Sequence, residues 1–370
     1  MTKEQIGSAE ATFLMVALLS AKAFLTMPRY MMLDGTTAAW IEVILTSLVA
    51  TLGWAGIVLF MRRFPGRSLI QAVEEVLGPY LAFPVQIVYV GIFVWVTVVV
   101  VRQFAETVLT VILPVTPISI IVTALIGVAA YTCYLGIEAV ARVARYFVPI
   151  VFILVLLLML LVLPAGARLA RIFPLLGPGL GPLLWRSIPR SSLYLELLLL
   201  PILLPSLKEP QKMARIGYEA ILWTALLWLV VVLVFELVFP FPAGAYNPFP
   251  LLALARLISI GRFIQRVESL FIFAWIFAAA AKLAASLLAA ILAYAQTFRL
   301  RTYRPLTFPF AVLVIALAFV PDNLVAAMRD DREMLRLYGF IPAFVLTFLL
   351  WGVAVLRHKG GALRDEKKNS

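Results

Sequence analysis

Cysteine and histidine are almost missing from this 370-residue chain, which has one of each, Cys133 and His358. A single cysteine excludes an internal disulfide, and one histidine leaves a zinc or iron centre of the His/Cys type without donors. A Ser-His-Asp arrangement is excluded with them, because His358 stands in a basic C-terminal tail. Charge is scarce too. Only 14% of residues are Asp, Glu, Lys or Arg against 64% hydrophobic, and the mean hydropathy is +1.03. Such values exclude a soluble globular domain and describe an all-α polytopic membrane protein. No motif calls for a metal or another cofactor.

Apolar segments fall at about 8–30, 38–60, 81–112, 117–134, 146–164, 183–206, 217–240, 266–297, 306–321 and 338–356. That makes about ten spans, since a bilayer core takes about 20 apolar residues. The first is expected to stay in the membrane, because its flank MTKEQIG is weakly basic and no small-residue cleavage site follows. The net charge of +12 could suggest nucleic acid, but position decides the matter. With the N-terminus on side one, that side carries seventeen Lys and Arg, side two nine, and the spans themselves five. The positive-inside rule then puts both termini, including the tail 357–370, in the cytoplasm. The basic excess is a topology signal, and the partner it implies is the lipid bilayer.

The stretch from Leu183 to Ser206, LLWRSIPRSSLYLELLLLPILLPS, is long enough to span yet holds Arg190, Ser191, Ser192, Tyr194 and Glu196, with Pro189 among them. Proline removes a helix hydrogen bond, and a central charge costs at least about 2.5 kcal/mol on insertion scales. Groups of this kind persist where they face protein, a cavity or a ligand. The stretch Pro189 to Ser192 therefore reads as a helix break in a solute site. Lys282 lies near the middle of the eighth span, about 24 Å along the helix from either end and beyond the reach of snorkelling. It needs a buried anion, a carbonyl cluster or a cavity, and Glu196 is the natural candidate. Whether the two form a structural lock or part of a site is open.

Lys22 lies well inside the first span and either snorkels to the outer interface or faces the interior. Arg102 and Glu106 share a helix face four residues apart and read as a self-satisfied pair. Glu42, Glu219 and Glu236 stand close enough to span ends to be near water. A short amphipathic segment, Leu69 to Leu77, suits a helix on the cytoplasmic surface, and another is expected from Leu251 to Ile260.

Several motifs together resemble a known family. They are RRFPG at Arg62 to Gly66, RQFAETVLTVILPVTP from Arg102 to Pro117, Gly136 with Ala141, Arg142 and Pro149, and IQRVES followed by Trp275, Ile276 and Phe277. In this order and spacing they resemble the spore germination permeases, the B subunits of nutrient germinant receptors in the amino acid/polyamine/organocation superfamily. The similarity runs from about Ala11 to Leu300.

The resemblance implies ten helices in two inverted five-helix repeats, about 8–164 and 183–356, with helices one and six broken at mid-membrane. Helices three, which carries Tyr89, and eight complete the substrate site. On this pattern Ser20, Ala21, Lys22 and Ala23 fall at the break in helix one, where alanines replace a usual Gly-x-Gly. Tyr194 also replaces a glycine, Glu196 falls on a common glutamate, and Arg145 stands where many members have an acid. Lys282 falls where sodium-coupled relatives hold a cation, so its ammonium stands in for that ion or exchanges a proton. The implied function is binding of a small nutrient, an amino acid, by a receptor subunit working with A and C subunits in the inner spore membrane. The alternative is a free-standing proton-coupled amino acid permease in the cell membrane. An enzyme is not supported, since no span presents a metal cluster or a nucleophile-base pair.

Overall fold

The computed structural model describes residues 4–258 and 268–360. The last two residues of the expected Leu251–Ile260 helix, Arg262, Arg266, the start of IQRVES and the tail from Gly361 lie outside the described residues. Apart from one isolated β-bridge, the described secondary structure is helical. Seven helical stretches are long and apolar enough to cross a membrane.

Helix one comes in two pieces, α1 (Ser8–Ser20) and α2 (Met27–Gly35), joined by a 3₁₀ turn at Ala21–Phe24. Alanine favours continuous helix, but Leu25 leaves helical geometry at φ −100°, ψ −136°, and Pro28 restarts the helix within its first turn. The chain thus breaks without the glycines. Helix six comprises α8 (Leu180–Arg190), a 3₁₀ run at Ser191–Leu198 and α9 (Leu199–Ile202). The break begins later than Pro189 and lasts eight residues, where 3₁₀ runs rarely exceed three or four. The Ser191 hydroxyl donates to the Ile188 carbonyl at 2.6 Å, competing with the Ser192 N–H that would continue the α-helix.

The intervening helices are α3 (Ala39–Met61), the short α4 (Leu69–Leu77), α5 (Pro79–Val111), α6 (Ile118–Leu135) and α7 (Ile137–Gly166). Helix α4 starts at a capping box between Ser68 and Gln71 and packs its apolar face on α5. The stretch after Gly136, expected as a turn, is the first part of α7, because Ile137 to Tyr146 contains no Gly or Pro to stop a helix. In the second half come α10 (Met213–Val238), α11 (Pro250–Arg256), α12 (Glu268–Thr297), α13 (Thr307–Leu317), α14 (Leu324–Asp330) and α15 (Leu346–Leu356). Segments α14 and α15 form one span interrupted by π-helical turns at Asp331–Arg336 and Ile341–Val345. Arg329, Arg332 and Arg336, expected in an outer loop, therefore belong to a helix.

Helix α12 is the centre of the bundle and packs against α5, α6, α7 and α1, while α10 packs on α3 and α1. Motif residues far apart in sequence meet here: Phe104 packs on Trp275 with ring centroids 4.9 Å apart, and Phe277 stacks on Phe147, two residues before Pro149, at 4.3 Å. One end of the bundle gathers both chain ends. Ile6 bridges to Leu207, Arg63 donates to the Lys359 carbonyl at 2.9 Å, and Arg145 approaches Glu10 at 3.7 Å. Gly136, at φ +113°, leaves room for Glu4, whose oxygens would stand 2.9 Å from a Cβ there.

Close α3–α10 packing depends on Gly217, where a Cβ would overlap the indole of the fully buried Trp54. Gly217→Ala is expected to destabilise by about 1–3 kcal/mol. Gly127→Ala, with nothing within 4 Å of its Cβ, should leave thermal unfolding in detergent unchanged or slightly raised.

Glu4 accepts hydrogen bonds from Tyr303 Oη at 2.6 Å, the Ile137 N–H at 3.1 Å and Arg304. Burial pushes its carboxyl up, but these bonds outweigh burial and hold it below its ordinary 4.5. A depressed carboxyl stabilises the fold above its unfolded value and loses that contribution as pH falls through the folded one. An acid titration of thermal stability should show a component starting near pH 4.5 that Glu4→Gln removes.

Candidate functional site

The two helix breaks face one another, and three charges of the spans, Lys22, Glu196 and Lys282, converge there. Lys22, from the turn of helix one, is 3% exposed and donates through Nζ to the Leu193 carbonyl and to Glu196 Oε2. Lys22 therefore turns inward, and the snorkelling alternative falls. Lys282, on α12 and fully buried, donates to Glu196 Oε1 at 3.1 Å and to the Leu18 carbonyl at 2.7 Å. Each oxygen of the fully buried Glu196 carboxylate thus takes one ammonium. Three helices, one, six and eight, are joined through a single side chain.

A fourth element reaches the same place. Arg336, 3% exposed in the first π-turn, donates to the Ser192 carbonyl at 3.3 Å, and its own carbonyl accepts from the Ser192 hydroxyl at 2.9 Å. Its guanidinium pairs with Asp331 at 2.8 Å, and its Nε has no acceptor among the described residues. It lies close enough to Glu196 to interact with it electrostatically. When all are ionised, Lys22, Lys282 and Arg336 face Glu196 and Asp331, so one buried positive charge is uncompensated. Removing one member of a buried ion pair typically costs about 3–5 kcal/mol. The cluster therefore gains from either an anion or the loss of a proton.

The other site residues expected from sequence divide around this centre. Ser20, Ala21 and Ala23 are buried at the break, and the Ser20 carbonyl faces Trp228 Nε1 at 3.5 Å. Tyr194 bonds the Ser47 hydroxyl of α3 at 2.8 Å and packs on Trp228 at 5.0 Å, making none of the triad's contacts. Tyr89 faces Thr347 on the last helix. Arg190 is held by Asp34 at the C-terminal end of α2, its Nε 2.6 Å from Oδ2. Ser191 and Ser192 serve the backbone as described above. Arg102 pairs with Glu106 at 2.8 Å, but also donates to the carbonyls of Ala318 and Asp322, tying α5 to the end of α13.

Two acids expected near water are buried. Glu42 is 0% exposed, lies beneath Gly35 of helix one, and its oxygens take no hydrogen bond among the described residues. Glu236, 1% exposed, faces the backbone N–H groups of Ala39 and Trp40, where the α3 dipole favours an anion. Position along a span places both near its end, but Gly35 of helix one covers Glu42 and the start of α3 covers Glu236. Glu219 does stand at a partly open surface, bound by Arg215 at 2.7 Å.

Asp34 and Arg336 are the residues that sequence reading misses. The polar run from Asp330 to Arg336 adjoins the last apolar span, and no Gly or Pro falls between Asp330 and Tyr338. That continuity is the signal for a charged extension of the last span, the one formed by α14 and α15, which is helix ten in the numbering the resemblance implies. Asp34 lies between two apolar spans and carries no comparable signal. Among the described residues no group of three His, Cys, Asp or Glu side chains is placed to hold a metal ion.

A chain with this fold is similar to several solved transporters. It matches Mhp1, a nucleobase-cation-symport-1 family transporter in a closed conformation with bromovinylhydantoin bound, at a TM-score of 0.63 and 12% identity over 99% of this chain and 94% of the other. MhsT in complex with L-phenylalanine gives a TM-score of 0.64 at 13% identity over 93% and 88%. A Na⁺-coupled sialic acid symporter in a substrate-bound outward-open state gives 0.63 at 13% over 95% and 78%. These likenesses establish the fold, that of membrane transporters. In sequence the chain is 25% identical over 334 residues to spore germination protein KB of Bacillus subtilis (strain 168), covering 87% of each. The spore germination protein family model matches residues 5–325. With that match spanning most of its length, this chain belongs to the spore germination permease family, whose members are membrane proteins and not enzymes.

Proposed function

We propose that this chain is the membrane subunit of a nutrient germinant receptor, and that it binds an amino acid where the breaks of helices one and six meet. The observation that carries the reading is Lys22. Its ammonium, on helix one, occupies a carbonyl and a carboxylate on helix six, partners that suit the amine of an amino acid. Lys22 acts as an internal stand-in for that amine, holding the two breaks together when the site is empty. A ligand whose amine displaces it brings a carboxylate that meets the uncompensated charge. Displacement then shifts helix one against helix six, and the movement passes to partner subunits. By family resemblance these are a larger A subunit and a lipoprotein C subunit in the inner spore membrane, with both termini of this chain cytoplasmic.

Lys282 deepens the reading. Its ammonium bridges the Leu18 carbonyl of helix one and Glu196 of helix six from helix eight, a position suited to a bound cation. With a tethered ammonium there, binding needs no sodium. A second reading, a free-standing proton-coupled permease, is favoured by the same excess charge, since a lysine that releases its proton on one side and regains it on the other couples proton and solute movement.

Labelled amino acids offered to the purified protein in liposomes separate these readings. Saturable binding without flux, lost in Glu196→Gln, is the receptor outcome, and accumulation driven by an inward proton gradient is the permease outcome. Failure of any amino acid to bind the assembled receptor overturns both. Lys22→Met, which removes the internal competitor, is expected to tighten binding about tenfold, or about 1.4 kcal/mol; weaker binding makes Lys22 a direct ligand contact instead. Replacing sodium by choline should leave wild-type affinity unchanged, and a sodium requirement overturns the assignment of Lys282 as ion surrogate.

A further inference from the structure

The cavity nearest the buried cluster opens at the end of the bundle opposite the chain termini. It has a volume of about 300 Å³, and its charged lining comprises Asp34, Arg186, Arg190, Arg332, Glu333 and Arg336. Four guanidiniums face two carboxylates there. Asp34 meets three of them: Arg190 holds its Oδ2, Arg332 approaches Oδ1 at 3.4 Å, and Arg186 donates to its backbone carbonyl. Arg190 and Arg332 also lie over the Tyr30 ring at 5.5 and 6.0 Å. Arg336, nine-tenths buried, keeps its Nε without an acceptor among the described residues. Guanidinium groups present planar forks matched to carboxylate and phosphate oxygens, and a concave site with low-dielectric walls strengthens their attraction for an anion.

We infer that this pocket is a second ligand site, separate from the Lys22–Glu196–Lys282 cluster, and that it takes a small soluble oxyanion such as a carboxylate or a phosphate. Asp34 is its internal occupant. It stands at the outer end of α2, while Arg190 ends α8 and Arg332 and Arg336 lie in the π-turn of helix ten. The Asp34 carboxylate therefore latches the outer halves of helices one, six and ten. An incoming oxyanion competes with Asp34 for the same guanidiniums and loosens that latch. The effect reaches the buried cluster through Arg336 and its paired hydrogen bonds with Ser192. The inference stands on the pocket alone and does not depend on an amino acid binding at the helix breaks.

The test uses the full chain in phosphatidylcholine nanodiscs at constant ionic strength, titrated with inorganic phosphate and, separately, with succinate. Saturable binding by calorimetry, together with a rise in unfolding temperature, is expected for at least one probe. Whichever probe binds identifies the source as an inorganic or an organic anion. Arg186→Gln with Arg332→Gln, at the two more exposed arginines, should weaken it at least tenfold. Asp34→Asn, which keeps the shape and removes the competing charge, should tighten it. Equal responses from wild type and the arginine variant overturn the site, as does a response that appears only when anionic lipid is added, or none for either probe. An Asp34→Asn affinity equal to wild type overturns the latch. Should that variant not fold, Arg332→Gln alone still decides the site.

Discussion

The structure depends on one carboxylate. Glu196 lies fully buried in the middle of a broken helix, and each of its oxygens holds an ammonium from a different helix. In hydrocarbon none of these charges would be tolerated alone, and two cations could not share the interior without an anion between them. The carboxylate therefore specifies how helices one, six and eight meet. The 3₁₀ run of helix six supports this by exposing the Leu193 and Ser192 carbonyls to Lys22 and Arg336. Helix interruption and buried charge are two parts of one solution, because unwound backbone supplies acceptors that a regular helix would keep for itself.

Two ionic centres divide the depth of the bundle. The inner one joins Lys22, Glu196 and Lys282, and the outer one gathers arginines on Asp34. Arg336 belongs to both, since it lines the outer cavity and grips the broken stretch of helix six. Helix ten is π-helical where it carries this residue, and such irregular turns recur at functional sites. The outer cavity is thus linked to the broken stretch of helix six by the two hydrogen bonds between Arg336 and Ser192. The fold thus holds two groups of charge, one on Glu196 and one on Asp34, joined through Arg336.

The bilayer-crossing character of the chain, the positions of most spans and the centrality of Glu196 and Lys282 are legible in the sequence. Hydropathy registers what a lipid core accepts, and an ionisable residue about 24 Å from both ends of a span has no refuge but another charge. Helix boundaries are less legible where a polar stretch continues an apolar one. The start of α7 at Ile137 and the extension of helix ten through Arg336 both lie beyond the hydropathy edge, because hydropathy registers side-chain polarity while a helix can continue through polar residues, and the last span continues even past Gly339 and Pro342 with π-helical turns. The break in helix one is a different case: alanines at positions 21 and 23 argue for regular helix, and Pro28 with the pull of Leu193 and Glu196 on Lys22 overrides them.

By itself, then, the sequence determined the class of protein, the positions of most of its apolar spans, its excess of positive charge and the two spans whose central charges needed buried partners. Those follow from local composition, which fixes the solvent each segment can live in. Only the tertiary structure decided which charge answers which. Lys22 lies 174 residues from Glu196 and Asp34 lies 156 from Arg190, so no periodicity within a helix can pair them. It likewise decided that Glu42 and Glu236 are sealed from water and that Tyr194 turns to Ser47. Burial and partnership depend on the neighbouring helix, and the choice of neighbour is made by packing over the whole bundle.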